Sequence, residues 1–401
     1  MSVKRINLWW GPPKRFDDRK HERKISWLEL FYDLVYVAAI SQLTHELAEH
    51  SSLQKLAYSF LLFSLIFWSW VNGSQYYDLH GQDSIRTRVF TFAQMLSVSA
   101  IAITIQDTFE GHHQNFAIAF ATIQILITYL WWSVGLYDPS HRVFNKFYTF
   151  NYLVAFALLI ISIFANHQTA TILWIIVLVL NLTPGLTGAR TIVRVLKERG
   201  QVFSASATII ERFGLFTIIV LAESILATVS GIAEIKDKHP AAWIAFILGI
   251  LIAFLLWSIY FDMTSEQETK QGYHYMQWFI FLHYPLLAAL GVIGACIKVL
   301  LIEIEATSHT NIQWMICAAI AIILFIITGV AAVMKEEEED RSYIQPVSRL
   351  LIITGVIILI IPLFGHYLGT LAFLSVVSVI LFVPVFIGIR SWVRYKFLNE
   401  K

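Results

Sequence analysis

Long apolar stretches separated by short polar segments run along the whole chain. A helix needs about 20 mostly apolar residues to cross a bilayer. Twelve stretches qualify and predict transmembrane helices near residues 27–46, 56–75, 89–106, 116–137, 149–166, 170–187, 212–234, 241–262, 278–303, 312–334, 348–366 and 370–390. Only Asn166, His167 and Gln168 separate the fifth and sixth, which predicts a tight hairpin. The pattern predicts an all-α, polytopic integral membrane protein.

Composition removes the main alternatives to a membrane protein. Of the 401 residues, 57% are hydrophobic and 14% are charged, whereas roughly 25% charged residues is usual in a soluble domain. So few charges cannot cover the surface of a soluble protein of this length. The formal net charge of +1 gives no indication of a nucleic-acid partner. Cys296 and Cys317 lie in apolar runs without metal-binding spacing, so we expect no disulfide framework, metal site or cofactor.

Basic residues orient the predicted helices, because loops rich in Lys and Arg stay on the cytoplasmic side of a membrane. With twelve spans and a cytoplasmic N-terminus, 25 of the 29 basic residues fall in inside segments. The four exceptions are Lys55, Lys236, Lys238 and Lys298. An odd number of spans would invert half of this pattern. We therefore predict that both termini are cytoplasmic. The basic N-terminal segment either binds membrane lipid as a partner or acts as a topology signal alone.

Two short motifs recur in the two halves of the chain. Glu-x-Phe opens the first span at residue 29 and the seventh at residue 211, and an Asp follows at positions 78 and 262, separations of 49 and 51 residues. This matched spacing predicts a duplication of six spans, with chance as the competing explanation. Because six is even, the copies would be parallel repeats, as in two-lobed transporters. The predicted parts are a basic N-terminal segment (1–26), a first repeat (27–190), a cytoplasmic loop (191–211), a second repeat (212–390) and a cytoplasmic tail (391–401).

Ionisable residues inside the predicted spans are candidates for function, since a charge in hydrocarbon is unfavourable unless it is paired or hydrated. Glu29 and Asp33 are four residues apart and share one helix face. Glu223 lies about 18 Å along the seventh span, near the bilayer midplane. We predict that Asp33, Glu223 and His283 form a proton or solute site, although Glu223 and His283 also fit structural hydrogen bonding. His45, near the outer end of the first span, is a further polar candidate.

Several charges also fall at the predicted cytoplasmic ends of the spans. We predict a cytoplasmic gate made of Glu29, Asp78, Glu211, Arg212 and Asp262. Salt bridges between such residues can open and close, or form a static clamp, and solvated helix ends are a further interpretation for the two aspartates. None of the histidines shows the spacing of a metal site.

Five segments resemble the bacterial low temperature requirement A (LtrA) family. They are WLELFYDLVYV at 27–37, SQLTH at 41–45, ERFGLFTIIVLAES at 211–224, WSIYFD at 257–262 and HYPL at 283–286. The resemblance implies a polytopic protein of the bacterial inner (plasma) membrane, in a family named for a growth defect in the cold. It implies no particular biochemical activity, and these motif residues are candidates for a shared site because they match.

The leading functional hypothesis is a proton-linked secondary transporter of a small solute. The repeat, the midplane carboxylate and the charges at one end support it, with a proton or small solute as the ligand. A membrane-embedded enzyme acting on lipid is one alternative, although no phosphate loop or nucleophile with a nearby base supports it. A non-catalytic membrane sensor or scaffold is the other. The sequence thus favours a role without catalytic residues.

Overall fold

A computed structural model of the chain describes residues 11–14, 24–49, 52–138, 142–187, 205–264, 268–304, 310–335 and 341–399. All five predicted parts lie partly outside the described residues. The residues outside are 1–10 and 15–23 of the basic N-terminal segment, 50–51, 139–141 and 188–190 of the first repeat, 191–204 of the loop, 265–267, 305–309 and 336–340 of the second repeat, and the last two residues of the tail.

Each predicted span coincides with a helix in the described part of the chain. The twelve helices there are α1 (Trp27–Glu49), α2 (Leu53–His80), α3 (Ile85–Phe109), α4 (Gln114–Tyr137), α5 (Arg142–Phe164), α6 (His167–Thr187), α7 (Ala207–Glu234), α8 (Pro240–Thr264), α9 (Tyr273–Ile302), α10 (Thr310–Val333), α11 (Arg341–Ile360) and α12 (Thr370–Asn399). A short 3-10 helix (Ile361–Tyr367) joins α11 to α12. The prediction of an all-α fold is confirmed.

The surfaces of these helices suit a lipid environment. Among the described helices, eleven are long and apolar enough to cross a membrane, and α1, which carries more acidic residues, is the exception. On α3, Phe92, Leu96 and Ile103 are exposed by 60%, 55% and 78%. Their spacing of four and seven residues puts them on one helix face. Such stripes are unfavourable in water and favourable in hydrocarbon, so the chain is a multi-pass membrane protein.

The chain divides into two compact units. The first comprises the described residues within 1–46, 53–212 and 271–277. In it, α4 packs against α2, α3 and α5, while α6 packs against α2 and α5. Gln124 on α4 and Asn181 on α6 exchange amide hydrogen bonds of 3.1 and 3.0 Å. The predicted hairpin between α5 and α6 is present, and the Asn166 side chain caps α6 by accepting a 2.9 Å bond from Thr169 N.

The beginning of α9 belongs to the first unit, where its side chains hydrogen-bond to the C-terminal end of α6. The last carbonyls of a helix have no partner within the helix. Gly185 O, in the last turn of α6, accepts hydrogen bonds from the Gln277 amide and from Tyr273 Oη, the latter at 3.4 Å. The remainder of α9, from Trp278, is part of the second unit.

The second unit comprises the described residues within 47–52, 213–270 and 278–401. In it, α8 packs against α10 and α12, and α11 also packs against both. Helices α7 and α9 approach closely at small residues, since a Cβ on Gly294 would lie 3.0 Å from Ser224 Cα. Ser224 Oγ donates a 3.1 Å hydrogen bond to Leu290 O. Close packing at small residues is common between membrane helices.

The division between the units passes through α7, with Arg212 in the first unit and Phe213 in the second. Arg212 therefore shares a unit with the first six helices. The predicted duplication of six spans stays a prediction.

Candidate functional site

The start of α1 fixes the position of its first acidic side chain. Ser26 and Glu29 have the spacing of a capping box, in which a serine and a glutamate satisfy each other's backbone amides. Glu29 Oε2 accepts hydrogen bonds from Ser26 N at 2.9 Å and Ser26 Oγ at 2.8 Å, and Glu29 N donates to Ser26 Oγ at 3.3 Å. One turn later, Asp33 lies on the same face of α1. The local sequence therefore places two carboxylates side by side.

Asp33 and Arg212 form a buried ion pair within the first unit. Arg212 Nε lies 3.0 Å from Asp33 Oδ2, and Nη2 lies 2.7 Å from Oδ1, so the guanidinium binds the carboxylate through two nitrogens. Asp33 is 0% exposed and Arg212 is 1% exposed. Trp70 Nε1 donates a further hydrogen bond of 2.7 Å to Asp33 Oδ1. Two-point contacts of this kind are strong and geometrically specific.

The guanidinium of Arg212 is enclosed on its other sides by rings and by the second acid. Its Cζ lies 5.4 Å from the centre of the Tyr32 ring and 5.9 Å from that of Trp70, both within cation–π range. Nη1 lies 3.5 Å from Glu29 Oε1. This nitrogen is buried and donates no hydrogen bond to any described residue. Arg212 is thus within reach of two carboxylates and hydrogen-bonded to one.

A chain of buried hydroxyl and amide groups begins beside this ion pair. Tyr32 Oη donates to Gln94 Oε1 at 2.9 Å, and Gln94 Nε2 donates to Tyr77 Oη at 3.2 Å. Tyr32 Oη also lies 3.0 Å from Tyr36 Oη. Gly73 on α2 leaves the space for these groups, since a Cβ there would lie 3.0 Å from Gln94 Oε1 and would overlap Tyr32 Oη. The first unit therefore contains a polar path through otherwise apolar helices.

The predicted gate residues lie in different surroundings. Glu29 and Arg212 are buried next to each other. Asp78 is half-buried, and its Oδ1 accepts a 2.7 Å hydrogen bond from Ser206 Oγ in the same unit. Glu211 is exposed although it neighbours Arg212 in sequence. In the second unit, Asp262 is exposed and accepts a 3.0 Å hydrogen bond from Ser258 Oγ.

His283 is enclosed in the second unit and is 0% exposed. Its Nδ1 lies 2.7 Å from Phe279 O, and its Nε2 lies 2.8 Å from Tyr260 Oη. A carbonyl only accepts, so Nδ1 carries a proton, and in the neutral ring Nε2 accepts from the tyrosine. The Phe213 ring packs edge-on at 4.9 Å. Both ring nitrogens are used, which is the structural alternative that the sequence left open.

Two more predicted residues differ in burial. Glu223 is buried in the second unit and is 9% exposed. His45 lies on the exposed surface of the first unit. Among the described residues, no group of three or more His, Cys, Asp or Glu side chains is placed to hold a metal ion.

Two residues of the buried site were absent from the sequence predictions. Trp70 contacts Asp33, and Gln94 belongs to the polar chain. Gln94 carried a usable signal, because an amide in the middle of an apolar span is unfavourable without a partner. Trp70 carried none, because aromatic residues are common throughout membrane helices. Tyr32 was a candidate only as part of the motif at 27–37 that resembles the family.

Comparison with known proteins gives a family for the chain as a whole. The family model of the bacterial low temperature requirement A protein (LtrA) matches residues 24–385. A similar protein is the uncharacterized protein RA0937 of Rhizobium meliloti (strain 1021), 25% identical over 287 residues, which are 67% of this chain and 68% of that protein. The family match includes both carboxylates of α1, Arg212, Glu223 and His283.

Proposed function

The chain belongs to the bacterial low temperature requirement A (LtrA) family, and we propose that it is a proton-linked secondary transporter of a small solute. The family model covers nearly the whole chain and confirms the resemblance drawn from five sequence motifs. The family description states no activity. The proposal is therefore supported by the buried charges of the first unit.

The observation that carries the proposal is the buried pair of Asp33 and Arg212. A guanidinium keeps its charge at every physiological pH, so a buried Arg212 needs a carboxylate partner. Such a pair adds little net stability, because the loss of hydration offsets the attraction between the charges. Ionisable residues inside membrane proteins commonly mark proton and substrate paths. Movement of a proton or solute therefore explains this pair better than stability does.

Proton binding to Asp33 is the step that we propose as the switch. A neutral carboxyl attracts a guanidinium less than a carboxylate does, so protonation weakens both hydrogen bonds from Arg212. Glu29 Oε1, 3.5 Å from Nη1, is the nearest other carboxylate oxygen that the structure describes around Arg212. Arg212 would then shift from Asp33 towards Glu29. This exchange gives Glu29 and Arg212 the gate role that the sequence predicts for them.

The other predicted residues keep their roles as part of the proposal. Glu223 and His283 are proposed to bind a proton in the second unit. Asp78, Glu211 and Asp262 are proposed to take part in the gate. Substitution of each one is informative only after the Asp33 experiment below has succeeded.

We also propose that the protein lies in the inner membrane with both termini in the cytoplasm and with α1 as the twelfth span. At 23 residues, α1 is about 34 Å long, enough to cross the hydrocarbon. Both native cysteines are buried, so labelling with a membrane-impermeant maleimide has a low background. In intact cells we expect Lys236→Cys to be labelled and Lys24→Cys to be protected until the cells are opened. The reverse result would overturn the orientation.

Transport can be tested with the purified protein in lipid vesicles that contain a trapped pH-sensitive dye. A membrane potential is imposed, and mixtures of amino acids, monosaccharides and small carboxylates are added outside in turn. We expect one mixture to change the internal pH with the protein present and not in empty vesicles. Asp33→Asn should abolish this change. If no mixture alters the internal pH and the potential drives no proton entry, the transporter proposal is wrong.

A matched control separates the loss of the Asp33 carboxylate from the loss of any acidic residue. Asp83, in the same unit, pairs with Arg88 at 3.1 Å, and both side chains are exposed. Asp83→Asn should therefore transport as the unchanged protein does. Asp33→Asn leaves Arg212 buried without a charged partner on α1 other than Glu29, so its folding is checked by size-exclusion chromatography. If it fails to fold, the double variant Asp33→Asn with Arg212→Gln removes both charges and should fold without transporting.

A further inference from the structure

A narrow pocket in the first unit lies where α2 ends and α3 begins. Its walls include Tyr76 and Tyr77 from the end of α2, and Ser84, Arg86 and Thr87 from the start of α3. The segment 11–13 forms another wall. That segment is held in place at residue 14, whose N donates to the carbonyl of His80 at 3.1 Å. The pocket lies at helix ends, where a membrane protein meets water.

Arg86 is the residue of this pocket that indicates a ligand. It is only 6% exposed, and its Nη2 donates a 2.6 Å hydrogen bond to Ser133 Oγ. Its Cζ lies 5.8 Å from the centre of the Phe90 ring. No carboxylate lies within ion-pair distance of it among the described residues. A serine and an aromatic ring do not neutralise a buried guanidinium, which is unfavourable without a counter-charge.

Two other arginines of the first unit form ion pairs and show what is missing. Arg212 is buried and binds Asp33 through two nitrogens. Arg88, two residues after Arg86 on the same helix, is exposed and still pairs with Asp83 at 3.1 Å. Arg86 is also buried, at 6% exposed against 1% for Arg212, and it has no acid of the described residues within ion-pair distance, whereas both of the others do. An anion from outside the protein would supply it.

Neighbouring groups add donors for the same kind of ligand. Ser84 caps α3 by accepting a 3.3 Å bond from Thr87 N, and the other amides of the first turn have no partner within the helix. The positive end of the helix dipole adds to the charge of Arg86. Tyr77 lines the pocket, and its hydroxyl belongs to the polar chain that begins beside Asp33, accepting hydrogen bonds from Gln94 Nε2 and from Thr91 Oγ1. An anion in the pocket would be linked to the ion pair through Gln94 and Tyr32.

We propose that this pocket binds a compact oxyanion, the carboxylate or phosphate group of a small solute, with Arg86 as its counter-charge. The inference rests on the proposed transport function and names the chemical class of its solute. The narrow space excludes a bulky ligand.

Direct binding tests the pocket without relying on transport. Isothermal titration calorimetry with the purified full chain uses inorganic phosphate and succinate as separate probes, with glucose as a neutral control. We expect saturable binding of phosphate or succinate and none of glucose. Arg86→Gln should weaken binding by about tenfold or more, because one partner of a buried charge pair is lost. Arg88→Gln, the matched control, should bind as the unchanged protein does.

Each result decides between the two sources of the oxyanion or rejects the site. Phosphate alone indicates a phosphate-bearing solute, and succinate alone indicates a carboxylate. Absence of saturable binding for both, or equal binding by Arg86→Gln and the unchanged protein, overturns the proposal. If Arg86→Gln does not fold, Arg86→Lys takes its place, because lysine keeps the charge and cannot contact the anion through two nitrogens. Arg86→Lys should bind the anion more weakly than the unchanged protein does. Undiminished binding would reject the site. Binding without proton movement in vesicles would support the pocket and contradict transport.

Discussion

The Asp33–Arg212 pair of the first unit and His283 of the second show two different ways of burying polar side chains. In the first, Asp33 and Arg212 carry opposite charges and connect to Tyr32, Gln94 and further hydroxyls. In the second, His283 lies within hydrogen-bond distance of Tyr260 Oη and a backbone carbonyl. A histidine can be buried as a neutral ring, whereas an arginine keeps its charge. At these two sites, burial of Arg212 therefore depends on ionic pairing, and burial of His283 on ordinary hydrogen bonds.

The comparison predicts its largest effect at Arg212. Arg212→Gln leaves Asp33 buried without its cation, and breaking a buried pair in this way destabilises a protein by about 3–5 kcal/mol. Equilibrium unfolding in mixed detergent micelles measures the loss. Arg88→Gln, which removes an exposed arginine from the same unit, should change stability by less than about 1 kcal/mol.

A second substitution distinguishes charge from shape at the same site. The double variant Arg212→Gln with Asp33→Asn removes both charges, so it should recover much of the stability that Arg212→Gln loses. If the double variant is as unstable as the sum of the two single variants, the side chains act through packing and not through their charges.

The sequence predicted the helices and part of the site for clear physical reasons. Hydrophobicity over about 20 residues is sufficient to locate a membrane helix, and every described helix coincides with a predicted span. Asp33 stood out because it lies well inside an apolar run. Its partner did not, because Arg212 is 179 residues away and no local pattern links the two positions. Arg212 was predicted as a gate residue, not as the counter-charge of Asp33.

The recurring Glu-x-Phe motif shows the limit of such patterns. In α1, Glu29 is 5% exposed and Phe31 is 57% exposed, whereas in α7 Phe213 is 0% exposed and Glu211 is exposed. In α1 the glutamate of the pattern is therefore the buried residue, whereas in α7 the phenylalanine is. Which face of a helix is buried depends on neighbouring helices that are distant in sequence. Equal spacing of short motifs predicted a duplication without predicting equal surroundings.

A smaller effect is expected from filling the space beside the polar chain. Gly73→Ala would place a Cβ against Tyr32 Oη and 3.0 Å from Gln94 Oε1, and overpacking of this kind destabilises by about 1–3 kcal/mol. In Gly214→Ala, the added Cβ would lie 3.6 Å from the Phe261 ring, an ordinary contact. That control, in α7, should be neutral or slightly more stable, since alanine favours helices. If the two variants are equally stable, the groups around Gly73 can move aside for the added Cβ without a loss of stability.

The smallest effect tests the second unit and the comparison as a whole. Tyr260→Phe removes the hydroxyl that lies 2.8 Å from His283 Nε2. The lost hydrogen bond is neutral, so we expect a loss of only about 1 kcal/mol in the same unfolding assay. Proton movement in vesicles should persist, because the ion pair of the first unit is unchanged. A loss as large as that of Arg212→Gln, or the end of proton movement, would show that His283 is charged in the folded protein. His283 would then be a buried charge as Arg212 is, and the contrast between the two sites would fail.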